Sequence, residues 1–146
     1  AKARNHPIDF VAKDIRNHVV QLSSFKGKRF VLLHFWGTWC HGCVLELPAI
    51  KEIQDKYEKK GLQIISIGYR SAKAGQYEEA VKKYVLNWIH IYDDEDLINK
   101  YGNRATPSLC LIDKTGKILY DSEDAADDSN DIQLKRLKDI LERALY

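Results

Sequence analysis

The strongest structural signal in the chain runs from Phe30 to Cys43 and reads FVLLHFWGTWCHGC. Residues 30–36 are apolar at nearly every position, a pattern typical of a strand that is covered on both faces of an α/β sheet. From about Cys43 to Lys59, apolar residues recur at helical spacing. The two cysteines of the stretch, Cys40 and Cys43, therefore lie where a buried strand gives way to a helix.

Strand and helix patterns alternate along the rest of the chain. Residues 8–11 and 19–22 predict a short N-terminal hairpin. The elements predicted after the first helix are a strand at 62–68, a helix at 76–86, a strand at 88–92, a helix at 97–101, a hairpin of 108–113 and 117–120, and a helix at 132–145. This order predicts an α/β fold with a central mixed β-sheet flanked by helices.

The composition limits the class of protein. A chain of 146 residues with 45% hydrophobic and 10% aromatic residues is not disordered and fits one domain. We interpret residues 1–146 as that domain, with the hairpin at about 7–28 and a core at about 29–146. The net charge of +2 gives no electrostatic reason to expect nucleic-acid binding. No apolar run in the sequence approaches the roughly 18–20 residues that span a bilayer.

The cysteine pair is the main candidate for chemistry. A zinc site needs further Cys or His ligands at paired spacing, and the remaining cysteine is Cys110, which we expect to be a buried core residue. Attachment of c-type haem needs a histidine directly after the second cysteine, where this chain has Val44. At a helix N-terminus, free N–H groups lower a thiol pKa from about 8.5 into the range of roughly 3.5–7.5. We therefore predict that Cys40 is the attacking thiolate and Cys43 the resolving thiol.

Three segments together resemble a known family. Residues 35–43 with Glu46-Leu47-Pro48, the loop from Tyr101 to Pro107 and the hairpin from Leu111 to Lys117 are similar to the active-site segments of thioredoxin-fold oxidoreductases. The resemblance is closest to the extracytoplasmic TlpA/ResA-type branch of the alkyl-hydroperoxide-reductase/thiol-specific-antioxidant superfamily. It covers roughly residues 7 to 121. It implies a thioredoxin-like fold with an N-terminal β-hairpin extension.

The resemblance also implies a function. We expect a thiol–disulfide oxidoreductase that exchanges disulfides with other proteins through a Cys-His-Gly-Cys site, with the Cys40–Cys43 disulfide in place of a metal or organic cofactor. Its expected partners are protein thiols and disulfides, such as those of apocytochromes or misoxidised envelope proteins, and an upstream protein reductant or oxidant. We expect a monomer in the bacterial periplasm or cell envelope. Because the chain begins at Ala1 and contains no Met, we interpret it either as a mature form that has lost its leader or as a piece of a longer protein, and we expect contact with a membrane only through an N-terminal anchor outside this sequence.

Residues around the cysteines receive roles on the same grounds. The resemblance implies a cis Thr106–Pro107 bond that faces the cysteines and leaves the preceding backbone free to pair with a substrate. Thr106 has two open interpretations. Its hydroxyl is either a hydrogen-bond donor near Cys40 that tunes the redox couple, or Thr106 is simply a residue that favours a strand. His41 and Gly42 lie between the cysteines and are expected to tune the couple. Trp39 is expected to be an exposed apolar platform in the substrate groove.

Two further side chains have open interpretations. His34 lies six residues before Cys40, where typical thioredoxins have a buried carboxylate. Burial keeps a histidine neutral, so His34 is either a base for the proton of Cys43 or a core residue held by backbone groups. Glu46 lies three residues beyond Cys43 and is expected either to line the rim of the site or to be solvated.

Two other functions are considered as alternatives. A peroxiredoxin-like thiol peroxidase belongs to the same superfamily, but its Pro-x-x-x-Thr-x-x-Cys loop has no counterpart before Cys40, because the loop proline is missing. A non-catalytic docking domain would retain the fold as a recognition surface. The intact cysteine pair argues against that second alternative.

Overall fold

The structure, a computed structural model, describes residues 6–69, 74–102 and 104–145. Asn103 of the loop motif and both chain ends lie outside the described residues. The elements, in chain order, are β1 (Val11–Lys13), β2 (Val19–Gln21), β3 (Phe30–Trp36), α1 (His41–Tyr57), β4 (Leu62–Gly68), α2 (Ala74–Lys83), β5 (Ile89–Tyr92), α3 (Glu95–Tyr101), β6 (Ser108–Ile112), β7 (Ile118–Asp121) and α4 (Asn130–Leu145). No helix in the described ranges is both long and apolar enough to cross a membrane.

The apolar strand β3 is the centre of a five-stranded mixed sheet in the order β5-β4-β3-β6-β7. It pairs in parallel with β4 and antiparallel with β6, and β7 closes the other edge antiparallel to β6. Six of its seven residues are buried, as expected for a strand with neighbours on both edges and layers on both faces. The predicted fold class, a mixed sheet flanked by helices with an N-terminal hairpin, is confirmed.

Alternate residues of β3 enter different cores because side chains along a strand point to opposite faces. Leu32 packs with apolar residues of α1 and α4, such as Ile50 and Leu141. Leu33, on the other face, packs with α3 and with the β1–β2 hairpin. At the end of β3, Trp36 packs with both cysteines and with Tyr77 of α2. The face that carries α1 is therefore also the face of the cysteine pair.

Capping residues move helix boundaries away from the predicted positions. α3 begins at Glu95 rather than at 97, because the carboxylate of Asp94 accepts a hydrogen bond from Leu97 N at 3.0 Å. α4 begins at Asn130 rather than at 132, and the Ser129 hydroxyl accepts from Ile132 N at 3.3 Å. Hydrophobic periodicity reports only the buried face, so a polar first turn escapes it.

The end of α2 also differs from the prediction. The helix stops at Lys83, whereas the periodic pattern continues to Leu86. Leu86 N donates to Val81 O and Val85 N donates to Lys82 O, which is the bonding pattern of a Schellman cap. The cap requires a left-handed residue, and Val85 takes that conformation with φ of 53°.

Candidate active site

The first turn of α1 is built on the cysteine pair. Cys40 is the N-cap residue, and its Sγ accepts a hydrogen bond from Cys43 N at 3.2 Å. The two residues form a disulfide with Cα atoms 5.2 Å apart. Cys43 is fully buried, whereas Cys40 retains 9% of its exposure. Solvent therefore reaches Cys40 but not Cys43.

The loop before β6 faces this disulfide. The Thr106–Pro107 bond is cis, as the resemblance implied. The Thr106 carbonyl oxygen lies 3.7 Å from Cys40 Sγ, and Pro107 is buried beside α1. The contact between Thr106 and Cys40 is thus made by a backbone carbonyl, and the predicted contact of the Thr106 hydroxyl is not seen among the described residues.

A buried arginine, which sequence reasoning missed, braces this loop. The Arg104 guanidinium pairs with both carboxylate oxygens of Asp121, at 2.5 and 3.2 Å. Its Nε donates to Ser108 Oγ at 3.0 Å, and its Cζ lies 4.6 Å from the centre of the Phe35 ring. Arg104 thereby ties together residues on the two sides of the cis bond and fastens both to β7. Its burial was not detectable in the sequence, where an arginine in a loop reads as a solvated charge.

Trp39 projects beside Cys40. It is 55% exposed, and its Nε1 donates to the backbone oxygen of Tyr69 at 3.0 Å. Gly37 makes this placement possible, because a Cβ at that position would lie 2.5 Å from Trp39 Nε1. The ring is therefore both fixed and accessible, as the predicted platform requires. His41 is exposed and Gly42 is half-buried on the same turn.

His34 lies in the core beneath the site. Its Nδ1 is hydrogen-bonded to Ser66 Oγ at 2.8 Å, and Trp88 Nε1 donates to the same hydroxyl at 2.7 Å. Its Nε2 is buried without a hydrogen-bond partner among the described residues. Burial, with a smaller contribution from nearby His90, lowers the pKa of His34 from 6.5 to about 3. The expectation of a neutral buried imidazole therefore agrees with the structure, but the group has little affinity for a proton near neutral pH.

Glu46 is neither on the rim nor solvated. It is only 8% exposed, and its Oε1 has no hydrogen-bond partner among the described residues. Burial, reinforced by the negative charge of Asp131, raises the pKa of Glu46 from 4.5 to about 7. One turn beyond Cys43, the chain thus holds a carboxyl group that exchanges its proton near neutral pH. The signal in the sequence was that Glu46 occupies a position of α1 at which the helical spacing of the buried residues predicts burial, between Leu45 and Leu47.

Cys110 is separate from the site. It lies in β6 on the sheet face that carries α3 and the hairpin, whereas Cys43 packs on the face of α1. Burial raises the pKa of the Cys110 thiol from 9.0 to about 12. The expectation of a buried core cysteine is confirmed.

The sequence and the fold match known proteins. The sequence profile of the Redoxin family matches residues 5–141. The chain belongs to the Redoxin family. Among curated relatives, the thiol-disulfide oxidoreductase ResA of Bacillus thuringiensis subsp. konkukian (strain 97-27) is 36% identical over 118 residues, which are 77% of this chain and 65% of that protein. The chain therefore spans just under two thirds of the length of that relative.

Solved structures agree with this assignment. A protein from Chlorobium tepidum, named as a thiol:disulfide interchange protein DsbE, is 25% identical with a TM-score of 0.71, over 91% of this chain and 99% of that one. The thioredoxin domain of a thiol-disulfide oxidoreductase from Bacteroides vulgatus is 19% identical with a TM-score of 0.76, over 95% of this chain and 99% of that one. The thioredoxin-like fold and the resemblance to ResA-type proteins are confirmed.

Proposed function

We propose that this chain is a thiol–disulfide oxidoreductase that exchanges disulfides with protein substrates through Cys40 and Cys43. The observation that carries the proposal is the disulfide between these two residues at the N-terminus of α1. A sulfur at that position accepts a backbone N–H and lies at the positive end of a helix dipole, and both interactions stabilise a thiolate.

The exchange proceeds in two displacements. In the reduced protein, the Cys40 thiolate attacks one sulfur of a substrate disulfide, forms a mixed disulfide and releases the other substrate sulfur as a thiolate. Cys43 then loses its proton and attacks Cys40 Sγ, which reforms the Cys40–Cys43 disulfide and releases the second substrate sulfur. Two electrons pass from the protein to the substrate. The same steps in reverse oxidise a substrate dithiol.

Glu46 is the proposed acceptor for the proton of Cys43. It lies one helical turn from that residue, and its pKa of about 7 matches a group that gains and loses a proton at working pH. His34 is the weaker candidate, because a pKa of about 3 disfavours holding the proton. We assign His34 the role of a neutral core group that is hydrogen-bonded to Ser66.

The substrate groove lies between Trp39 and the cis-proline loop. Trp39 offers an exposed apolar ring, and the loop presents Thr106 and Pro107 beside Cys40. His41 and Gly42, between the cysteines, are proposed to tune the redox couple. We propose that the redox equivalents reside in the two sulfurs alone, without a bound cofactor.

The proposed partners follow from the chemistry and from the family. They are proteins with accessible thiols or disulfides, together with a second redox protein that returns Cys40 and Cys43 to the starting state. By similarity to ResA-type proteins, we propose an extracytoplasmic location, in the periplasm or cell envelope, for a monomer.

Insulin reduction tests this proposal. With dithiothreitol as the source of electrons, the protein should accelerate the precipitation of insulin chains well beyond the rate with dithiothreitol alone. Cys40→Ser should abolish the acceleration, and Cys43→Ser should accumulate a mixed disulfide with insulin that mass spectrometry detects. Cys110→Ser, the matched control, should behave as the unmodified protein. Loss of the acceleration in Cys110→Ser alone, or rapid peroxide consumption without insulin reduction, would contradict the proposal.

A further inference from the structure

A cavity lies between the segment that leads into β3 and the neighbouring end of β6. Its volume is about 160 Å³, close to the roughly 150 Å³ of an engineered apolar cavity that binds benzene. Its walls are mainly apolar and include Leu22, Phe25, Val31 and Ile112. The cysteines follow the opposite end of β3, so this cavity is separate from the site of disulfide exchange. It has the size and the walls to hold a hydrocarbon group.

Two cations in the cavity wall keep unpaired donors. Lys26 is exposed, its side chain passes beside Gly116, and its ammonium group has no ion pair or hydrogen bond within the described ranges. Arg29 Nη2 donates to the carbonyl oxygens of Glu58 and Leu62, at 2.6 and 2.8 Å. The Nε of the same guanidinium is buried and has no partner among the described residues. A buried donor without an acceptor is costly, so a ligand oxygen beside Arg29 would be stabilising.

Two carboxylates in the same wall have occupied acceptors. Asp9 Oδ1 accepts hydrogen bonds from Phe10 N and Ser23 N, both at 2.9 Å. Asp113 Oδ1 accepts from the backbone nitrogen and the hydroxyl of Thr115, at 2.9 and 2.6 Å. These hydrogen bonds compensate the charge of the two carboxylates. The two cations of the wall, in contrast, remain open to an anion.

The surface around the cavity is strongly basic. Three loops meet at this end of the sheet, with the sequences KGKR at 26–29, EKKG at 58–61 and KTGK at 114–117. They carry seven Lys or Arg residues and one acidic residue. Gly27 N donates to Lys114 O at 2.6 Å, and Phe30 N donates to Gly61 O at 2.9 Å, so the loops are held together. A concentration of positive charge attracts anions, so the surroundings of the cavity favour a negatively charged ligand.

We propose that this cavity binds a small carboxylate with an aliphatic chain. The chain enters the apolar cavity, and the carboxylate accepts hydrogen bonds from the Lys26 ammonium group and from Arg29 Nε. A neutral hydrocarbon would leave both cations unpaired, and a small inorganic anion would bury no apolar surface. The inference goes beyond the proposed function and is independent of it, because the cavity and the cysteines lie at opposite ends of β3.

Methyl NMR with hexanoate as the probe tests the site. Titration of hexanoate into the oxidised protein should shift the methyl resonances of Leu22, Val31 and Ile112. Those of Leu141, in the core on the other face of the sheet, should stay in place. The dissociation constant should fall about fourfold for each methylene from butanoate through pentanoate to hexanoate, since each methylene buries a similar apolar area. Hexan-1-ol, which has the chain without the charge, should bind about tenfold more weakly than hexanoate.

Lys26→Ala tests the charged part of the site. It should weaken hexanoate binding about fivefold and leave the binding of hexan-1-ol unchanged. Lys28→Ala, the matched control, removes an exposed lysine two positions away that lies outside the cavity wall, and it should keep the affinity of the unmodified protein for both probes. Both variants should reduce insulin at the rate of the unmodified protein, so the two proposals are tested separately.

Three results would overturn the carboxylate site. The first is equal affinity of the protein for hexanoate and hexan-1-ol, because the two cations would then make no contact with the ligand. The second is an equal loss of hexanoate affinity in Lys26→Ala and Lys28→Ala, which would indicate a general attraction of anions to the basic loops. The third is binding to vesicles of anionic phospholipid without any binding of hexanoate, which would assign the basic loops to a membrane surface instead.

Discussion

Glu46 is the residue that we propose gives the site its sensitivity to pH. Its carboxyl group is protonated below a pKa of about 7 and charged above it, because burial disfavours the charge. In the proposed mechanism a charged Glu46 accepts the proton of Cys43, so the resolving step should accelerate as the pH rises through about 7. The effect belongs to one side chain, since the pKa of the other buried candidate, His34, is about 3.

Replacing Glu46 with Gln tests this directly. We expect Glu46→Gln to remove the rise in the resolving rate around pH 7 and to slow that step about 10²-fold at pH 8, the lower range for a lost general base. The measurement is the release of the peptide thiol from a preformed Cys40–peptide mixed disulfide, followed from about pH 5 to about pH 9. Glu52→Gln on the exposed face of α1 is the control. A variant that retains the inflection near pH 7 would show that another group takes the proton.

How much of this site was predictable depends on the range of the interactions. The cysteine pair was predicted from a short contiguous motif, and the cis Thr106–Pro107 bond was predicted from the resemblance to the family. The raised pKa of Glu46 was not, since part of it comes from the negative charge of Asp131, which lies far along the chain in α4. A local pattern reports which face of a helix a residue occupies, but not which distant element covers that face.

At the level of elements, the cis-proline loop owes its position to the ion pair between Arg104 and Asp121. Both side chains are largely buried, at 8% and 16% exposure. We expect Arg104→Ala to lower the free energy of unfolding by about 3 kcal/mol, because it leaves an unpaired carboxylate in a buried place. Urea denaturation measures this. Lys100→Ala, which breaks the exposed pair with Asp96, should cost less than about 1 kcal/mol. Equal losses in the two variants would mean that Arg104 does not brace the loop.

The C-terminal cap of α2 carries backbone strain that a glycine would remove. Val85 has φ of 53° and is 60% exposed, so little packing compensates the left-handed conformation. We expect Val85→Gly to raise the free energy of unfolding by about 0.5–1 kcal/mol. Val11→Gly is the matched control, since Val11 is 58% exposed but lies in β1, and it should destabilise the protein. A loss of stability in Val85→Gly would show that the valine makes contacts that outweigh the strain.

The ends of the helices were not predicted from the sequence as well as their buried middles. Periodicity located the buried middle of α3 and α4, whose apolar residues recur as predicted. The polar caps at Asp94 and Ser129 extended both helices beyond the periodic run. At the end of α2, a valine occupies a position where glycine is the usual signal, so the stop was not visible in the sequence.

For the molecule as a whole, two buried histidines set the acid stability. Burial lowers the pKa of His34 from 6.5 to about 3 and that of His90 from 6.5 to about 4. Between pH 6.5 and 4 the unfolded chain therefore binds two protons that the native protein does not bind, so the free energy of unfolding falls as the pH falls. Glu46 acts in the opposite direction between 4.5 and about 7, because its proton is held only in the native state.

Between pH 4.5 and 6.5 both effects operate. The unfolded chain then binds about two more protons than the native protein at the histidines and about one fewer at Glu46, a net difference of about one proton. We expect the free energy of unfolding to fall by about 1.4 kcal/mol for each pH unit between pH 6 and 5 in the unmodified protein. In Glu46→Gln the opposing group is gone, so the fall should be about twice as steep. Urea denaturation at the two pH values measures both slopes. Identical slopes would contradict the raised pKa of Glu46, and a flat profile would contradict the lowered pKa values of His34 and His90.

The overall architecture was accessible from the sequence because its driving pattern is long and strong. The continuous apolar run of β3 predicted a central strand, and the structure gives it partners on both edges. The buried network around His90, which hydrogen-bonds Tyr77 at 2.9 Å, was not predicted, since a histidine in a short strand carries no signal of its depth.

We propose that Cys40 ionises readily because it caps α1 and its Sγ accepts a hydrogen bond from Cys43 N. The most direct measurement is the thiolate absorbance of the reduced protein as a function of pH, with Cys43→Ser used to assign the signal to Cys40. We predict that the Cys40 thiol has a pKa well below the value of about 8.5 for a free cysteine and is alkylated rapidly at neutral pH. Ionisation at or above that value, with slow alkylation, would contradict it.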